Sequence, residues 1–227
     1  MKNSLTAEEV KSILEFLEPE GQPNLYLGGE IEINAIPNVP ISWIEIFKTS
    51  AAKVEKILDY WNQYDKFLPK TCKLLREKLF DLALIISNSE PPSLLYVLRS
   101  ENEIFGQRGF IPSTEEELKF LNPSFRSLIQ EFYKFHNGWV DLFSADGGPL
   151  PIAKWQKIQA DDISASAELF GVFTNGSHMI GIESNHEGVT AHRIWPDDEE
   201  VEAISSFWIA IDDEISLSLD DCDDSYA

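Results

Sequence analysis

The sequence predicts a mixed α+β fold, on three observations. Helix-spaced apolar stripes fill much of the chain up to Asn137-Gly138. From Leu150 to Trp195 the pattern changes to short apolar segments separated by Gly and Asn turns. Hydrophobic residues make up 43% and aromatics 11% of the 227 residues, enough for a packed core and too many for a wholly disordered acidic chain. A chain of this length forms one large domain or two small ones.

The first helix follows from Thr6-Ala7-Glu8-Glu9, a capping box ahead of Val10, Ile13, Leu14 and Leu17, with Pro19 and Gly21 ending it. Residues 24–36 alternate in part and read as a strand pair or one bent strand broken at Gly28-Gly29. Ser42 caps a helix on which Trp43, Ile44, Phe47, Val54, Ile57, Leu58 and Trp61 share one face, and Pro69 closes it. A further helix from about Thr71 carries Cys72, Leu75, Leu79 and Leu82 on one stripe. Residues 94–98 are short and apolar, as in a buried strand, and residues 103–110 return as its hairpin partner.

The clearest joint is Ile111-Pro112-Ser113-Thr114. Ser113 or Thr114 caps a helix whose first turn is Glu115-Glu116-Glu117, acids at the positive end of the dipole. Asn122-Pro123 breaks and restarts it, and the next helix carries Phe125, Leu128, Ile129, Phe132, Tyr133 and Phe135 to a stop at Asn137-Gly138. Strands are expected at 150–158, 168–174, 178–184 and 188–195, and a final amphipathic helix at 201–211.

The chain carries 18 Lys+Arg against 39 Asp+Glu, a net charge of −21. This disfavours nucleic acid and anionic membrane surfaces, both of which need clustered cations, and favours a basic partner or simple solubility. From Asp197 onward there are 12 acids and no Lys or Arg, so this stretch supplies −12 of the −21. Glu8 and Glu9 stand where a signal peptide needs apolar residues, and the longest apolar runs, 82–86 and 207–211, are far below a membrane span. Cys72 and Cys222 have no disulfide-framework spacing. A cytoplasmic location is the expectation.

Four elements of the second half stand in a telling order. They are the acidic helix Glu115-Glu116-Glu117-Leu118-Lys119-Phe120-Leu121, the proline-started helix ending in His136-Asn137-Gly138, the strand–turn–strand run from Leu169 through Asn175-Gly176-Ser177 to Ile182, and Gly188-Val189 leading to a last helix with Ser206-Phe207. In this order residues 113–216 resemble the SUKH superfamily, the Smi/Knr-type immunity domains. The turn Asn175-Gly176-Ser177 replaces a richer glycine cluster, and Trp139 and Trp155 occupy a connection that varies widely in such domains. The resemblance implies an antiparallel-rich sheet packed against helices. It also implies a non-enzymatic protein that binds a cognate bacterial toxin, often a nuclease, or else a scaffold or regulator with no toxin partner. It brings no catalytic residue and no cofactor, and Gly138, Gly176 and Phe207 carry over as structural positions only. The expected organisation is residues 1–110 as an N-terminal α/β extension of unassigned type, 111–216 as the SUKH-like domain and 217–227 as an acidic tail.

The chemistry-bearing residues read mostly as structure. His178, His186 and His192 are spaced by eight and six, which fits no helical ligand pair. An enzymatic reading requires His178, His192 and a carboxylate to converge. His136 reads as a helix C-terminal residue favoured by the dipole, Cys72 as a small core residue, and Asp146-Gly147-Gly148 as a turn. Asp220-Asp221-Cys222-Asp223-Asp224 lacks the glycine and spaced ligands of a Ca²⁺ loop. There is no nucleophile elbow and no phosphate-binding glycine loop. Trp43 and Trp61 belong to the core, while Trp139, Trp155 and Trp195 lie in or beside loops and are either core or interface anchors. No catalytic, cofactor or metal residue is therefore expected. The residues expected to meet a basic toxin are Trp195, Asp197, Asp198, Glu199, Glu200, Asp212, Asp213 and Glu214; the competing reading is that these acids only solubilise the domain.

Overall fold

The computed structural model describes residues 5–17, 22–28, 33–100, 103–159, 168–185, 188–197 and 200–220. Among them the chain builds an α+β fold of seven α-helices and two antiparallel sheets, one of five strands and one of six. No helix among the described residues is long and apolar enough to cross a membrane.

Helix α1 (Ala7–Leu17) starts on the expected capping box: Glu9 N–H donates to Thr6 Oγ1 (3.2 Å) and Thr6 N–H to Glu9 Oε2 (2.6 Å). The Thr6 amide, helped by Arg99 at 2.7 Å from Oε1, holds the Glu9 carboxyl below its ordinary pKa. Ile13 and Leu17 of α1 pack on Ala83, Ile85, Leu95 and Val97, one face of the first sheet.

That sheet runs β1 (Asn24–Tyr26), β2 (Leu79–Ile86), β3 (Ser93–Ser100), β4 (Glu103–Gly109) and β5 (Trp139–Asp141), in this spatial order. Its other face, through Leu82, Leu84, Leu94, Tyr96 and Leu98, meets Trp43 of α2 (Ile41–Phe47), Ile57 and Trp61 of α3 (Lys53–Trp61) and Leu75 of α4 (Pro69–Lys78). A buried ion pair ties α3 to the sheet: Lys53 Nζ lies 2.7 Å from Asp81 Oδ1 and donates to the Leu27 and Leu82 carbonyls.

Three expectations change here. The helix expected at 42–61 is two helices, α2 and α3, separated by a 3-10 turn at Ser50–Ala52. The helix expected to carry Leu79 and Leu82 ends at Lys78, and both leucines belong to β2. The described residues of 24–36 form the short β1 and a 3-10 turn at Ile33–Ala35, with Gly28 at φ +92 after the strand; Gly29 and the three residues after it lie outside the described residues.

The second sheet has the order β11 (Glu200–Ile204), β10 (Gly188–Trp195), β9 (Met179–Asn185), β8 (Glu168–Thr174) and β6 (Gly148–Pro149), with β7 (Gln156–Ile158) also paired to β8. Val172, Phe173, Ile180, Ile182 and Ala191 turn one face towards α6 (Pro123–Tyr133) and α7 (Phe207–Asp220). Helix α5 (Glu115–Phe120) takes Thr114 as its cap, with Glu117 closing the capping box, and Asn122 caps α6. Of the strand expected at 150–158 only Gln156–Ile158 is strand, and a 3-10 turn occupies Ile152–Lys154. The last helix is displaced: residues 200–204 form β11, and α7 runs on through residues 217–220, which were expected in the tail.

The two sheets share one core. Strand β5, from beyond the boundary expected at residue 110, completes the first sheet by pairing Trp139 with Gly109 and Val140 with Arg108. The largest buried cluster runs from Trp43 and Trp61 through Phe132 and Trp139 to Ile180 and Ile211. His136 sits in it, beyond the end of α6 and completely buried, with Nε2 at 2.7 Å from the Tyr96 hydroxyl, which accepts from Trp61 Nε1 at 3.2 Å. Burial pushes its pKa down to about 3, so it is a neutral core residue and not the dipole-favoured helix end expected of it. The ring leaves no room for a side chain at Gly109, where a Cβ would lie 2.3 Å from His136 Cδ2. Gly138 follows at φ +93 with the Pro151 nitrogen 2.4 Å from where a Cβ would be, so the turn out of α6 requires glycine twice over.

Candidate functional site

The acidic stretch begins on the β10–β11 hairpin. Strand alternation sends Ala191, Arg193 and Trp195 to the helix side of the sheet and His192 and Ile194 to the other. The register sets Trp195 opposite Glu200 and Arg193 opposite Glu202. Asp197 lies in the turn; Asp198 and Glu199 lie outside the described residues. Asp197, Glu200 and Glu202 are exposed, and among the described residues no ion pair engages them. Trp195 is half-buried, its ring centroid 6.1 Å from that of His178 and 6.0 Å from the Arg193 guanidinium. Because β11 ends the sheet, one side of its backbone is open, and Glu200 and Glu202 stud it. The hairpin thus offers charge, an aromatic edge and a strand edge.

The acids of α7 have a different setting. Helix α7 lies between α4 and the second sheet, so more than one of its faces is covered. Asp212, 3% exposed, caps α4: Oδ2 accepts from Lys70 N–H at 3.0 Å and Oδ1 from Thr71 N–H at 2.9 Å. Pro69 opens that helix, so these are the first amide N–H groups it presents. Glu214, 6% exposed, is an acceptor for three side chains: Asn175 Nδ2 at 3.0 Å, His178 Nε2 at 2.9 Å and Arg193 at 3.1 Å. Asp213 stands between these two, half-buried, with the Lys70 ammonium at 2.8 Å, and its hydrogen bond raises the Lys70 pKa. Asp220 pairs with Lys78 at 3.4 Å. Asp212 and Glu214 are therefore not on the partner-facing surface expected of them. Their carboxylates are consumed holding α7 to α4 and to the sheet.

The histidines do not converge. His192 Nε2 is 2.8 Å from Glu183 Oε2, both buried, on the face opposite the one where Arg193, Glu214 and His178 meet. His186 is outside the described residues. Among the described residues no group of three His, Cys, Asp or Glu side chains is placed to hold a metal ion. Cys72 is a core residue, its thiol pushed up to about 12 by burial; Cys222 lies outside the described residues. Asp146-Gly147-Gly148 is a turn leading into β6, with Gly147 at φ +66.

Of the uncertain tryptophans, Trp139 is fully buried in β5 and Trp155 is half-buried, donating to the Leu150 carbonyl at 3.1 Å, which leaves Trp195 as the one on the acidic hairpin. Asn175, expected only as a turn residue, and Arg193, for which no role was expected, fix Glu214 together with His178. Arg193 carried a signal: it is the only Lys or Arg after Lys157, and a lone cation on an apolar strand points to a carboxylate nearby. No family model, curated protein or solved structure matches this chain.

Proposed function

We propose that the protein is a non-enzymatic binding protein whose β10–β11 hairpin receives a basic protein partner. On its resemblance to SUKH domains, we propose that it is an immunity protein that occludes a cognate toxin, a basic nuclease being the partner whose chemistry fits best. The observation that carries this reading is the exposed, unpaired trio Asp197, Glu200 and Glu202 beside half-buried Trp195, on an edge strand of a chain with net charge −21. Of the other described acids of the same stretch, Asp212 and Glu214 are buried and Asp213 and Asp220 pair with Lys70 and Lys78, so these three are the exposed acids of the stretch with no ion pair among the described residues. Opposite charge accelerates encounter, and an aromatic side chain at the contact supplies holding energy that charge alone does not. A nuclease holds phosphates with cations, and an acidic edge competes for those same cations. The dispersal of His136, His178 and His192 into three separate internal contacts supports a role without catalysis.

The test is co-expression with the product of the neighbouring gene, where that product is toxic alone. Rescue of growth together with co-purification is the expected result. Absence of both overturns the immunity reading, and co-purification of a partner that is harmless alone favours the scaffold or regulator role. Replacing Asp197, Glu200 and Glu202 together by lysine is expected to weaken binding and to abolish its loss at high salt.

A further inference from the structure

Among the described residues β11 pairs with β10 alone and ends the second sheet. We propose that its open edge takes up an extended segment of the basic partner as a further antiparallel strand, with lysine or arginine at alternate positions opposite Glu200 and Glu202. This mode of binding rests on the reading that the hairpin receives a basic protein, and adds the contact by which that protein is held.

The outer side of an edge strand carries backbone N–H and C=O groups with no partner in the sheet, on every second residue, and a peptide laid along it satisfies them. The edges of the two sheets are not equivalent. Strands β1, β5, β6 and β7 hold two or three residues each, whereas β11 holds five, an ordinary length for a strand. Its register with β10 runs unbroken from Trp195–Glu200 to Ala191–Ile204. It thus lacks the bulge that blunts many edges, and its sequence, Glu200-Val201-Glu202-Ala203-Ile204, also lacks the proline that blocks others. Glu200, Glu202 and Ala203 are exposed and Val201 and Ile204 half-buried, so the strand lies at the surface along its whole length.

The side chains select the occupant. Alternation puts Glu200, Glu202 and Ile204 on one face of β11 and Val201 and Ala203 on the other. Neither glutamate has an ion pair among the described residues. A second copy of β11 laid antiparallel and centred on Glu202 sets that glutamate against itself, and like charges directly across two strands repel. A strand with cations at those positions instead gains two cross-strand ion pairs on one face. Read from its N-terminus, the matching segment carries an apolar residue opposite Ile204 and then a cation at every second position, opposite Glu202 and Glu200. The acids that guard this edge against self-association therefore admit a basic strand.

The probe is the blocked peptide Val-Thr-Lys-Thr-Lys, titrated into the full chain at low salt and followed by NMR. Saturable binding is expected, with alternate amides of residues 200–204 becoming slow to exchange with solvent. N-methylation of both lysines in one peptide, and of both threonines in another, removes alternate N–H donors without changing charge. One of the two is expected to lose binding and the other to keep it, because only one set faces β11. Glu200→Lys with Glu202→Lys lowers affinity for the lysine peptide about tenfold and raises affinity for Val-Thr-Glu-Thr-Glu. Binding that survives both N-methylations, or that leaves the amides of 200–204 in fast exchange, is charge contact without strand pairing; it overturns strand addition and leaves the basic-partner reading standing. Absence of saturable binding also overturns strand addition, and co-purification of the cognate partner, which does not depend on the peptide, decides the broader reading separately.

Discussion

Two short acidic runs, at residues 197–202 and 212–214, meet opposite fates. Asp197 and Glu200 stand in solvent on an edge hairpin, whereas Asp212 and Glu214 are buried and hydrogen-bonded on a helix wedged between α4 and a sheet. Their side-chain chemistry is the same. What differs is how many faces of the supporting element are covered: among the described residues β11 has no strand beyond it, and α7 has neighbours on more than one side. A carboxylate on a covered face must find donors or lose its hydration uncompensated, and α7 supplies them from the N-terminus of α4 and from Asn175, His178 and Arg193. Acidic residues close in the sequence are therefore a poor guide to which carboxylates reach solvent.

The comparison breaks most visibly at Glu214. Glu214→Ala leaves Arg193 and His178 facing an empty position, and an expected loss of about 3 kcal/mol follows from stripping one partner out of a buried ion pair. Urea unfolding at pH 7 reads it, with Glu202→Ala, expected within about 0.5 kcal/mol of the parent, as the surface counterpart.

The core has a pH signature of its own. His136 is neutral when folded, with its pKa down to about 3, and the unfolded chain takes up a proton below about 6.5. Its contribution is thus complete above that pH and is lost as pH falls towards 3, amounting to about 2 kcal/mol by pH 5. Urea midpoints at pH 7 and pH 5 measure the fall, and His136→Gln is expected to remove this part of it.

Smaller effects follow. Asp212→Ala uncaps α4 at a cost of about 1–2 kcal/mol, most of it restored in Asp212→Asn, which keeps an acceptor oxygen. Asp213→Ala breaks a half-exposed pair with Lys70, and a urea midpoint close to the parent's is expected in the same assay.

Much of this architecture was legible in the residues. The capping box at Thr6, a helix cap at Ser113 or Thr114, the Asn-Gly stop after α6 and the β3–β4 hairpin all rest on local signals that packing did not override. Strand β2 was misread because both of its faces are buried: Leu82 and Leu84 face the helices while Ala83 and Ile85 face α1, so no polar alternation marks it. At residues 200–204 Glu and apolar residues do alternate, but Ile204, Phe207, Trp208 and Ile211 also carry helical spacing, and the sheet claimed Ile204 by pairing it with Ala191. The candidate site was half legible. Asp197 and Glu200 are exposed and Trp195 is half-buried beside them, whereas the burial of Asp212 and Glu214 depends on contacts with residues far away in the chain, Lys70 above all, which no local pattern encodes.

The central claim is that the hairpin acids are dispensable for the fold while the α7 acids hold it together. Urea unfolding of the triple variant Asp197→Lys, Glu200→Lys, Glu202→Lys beside Glu214→Ala, in one buffer at pH 7, tests it most directly. The account predicts a triple-variant midpoint equal to or above that of the parent, since net charge falls, and a clearly lower midpoint for Glu214→Ala. A triple variant that loses as much stability as Glu214→Ala would contradict it.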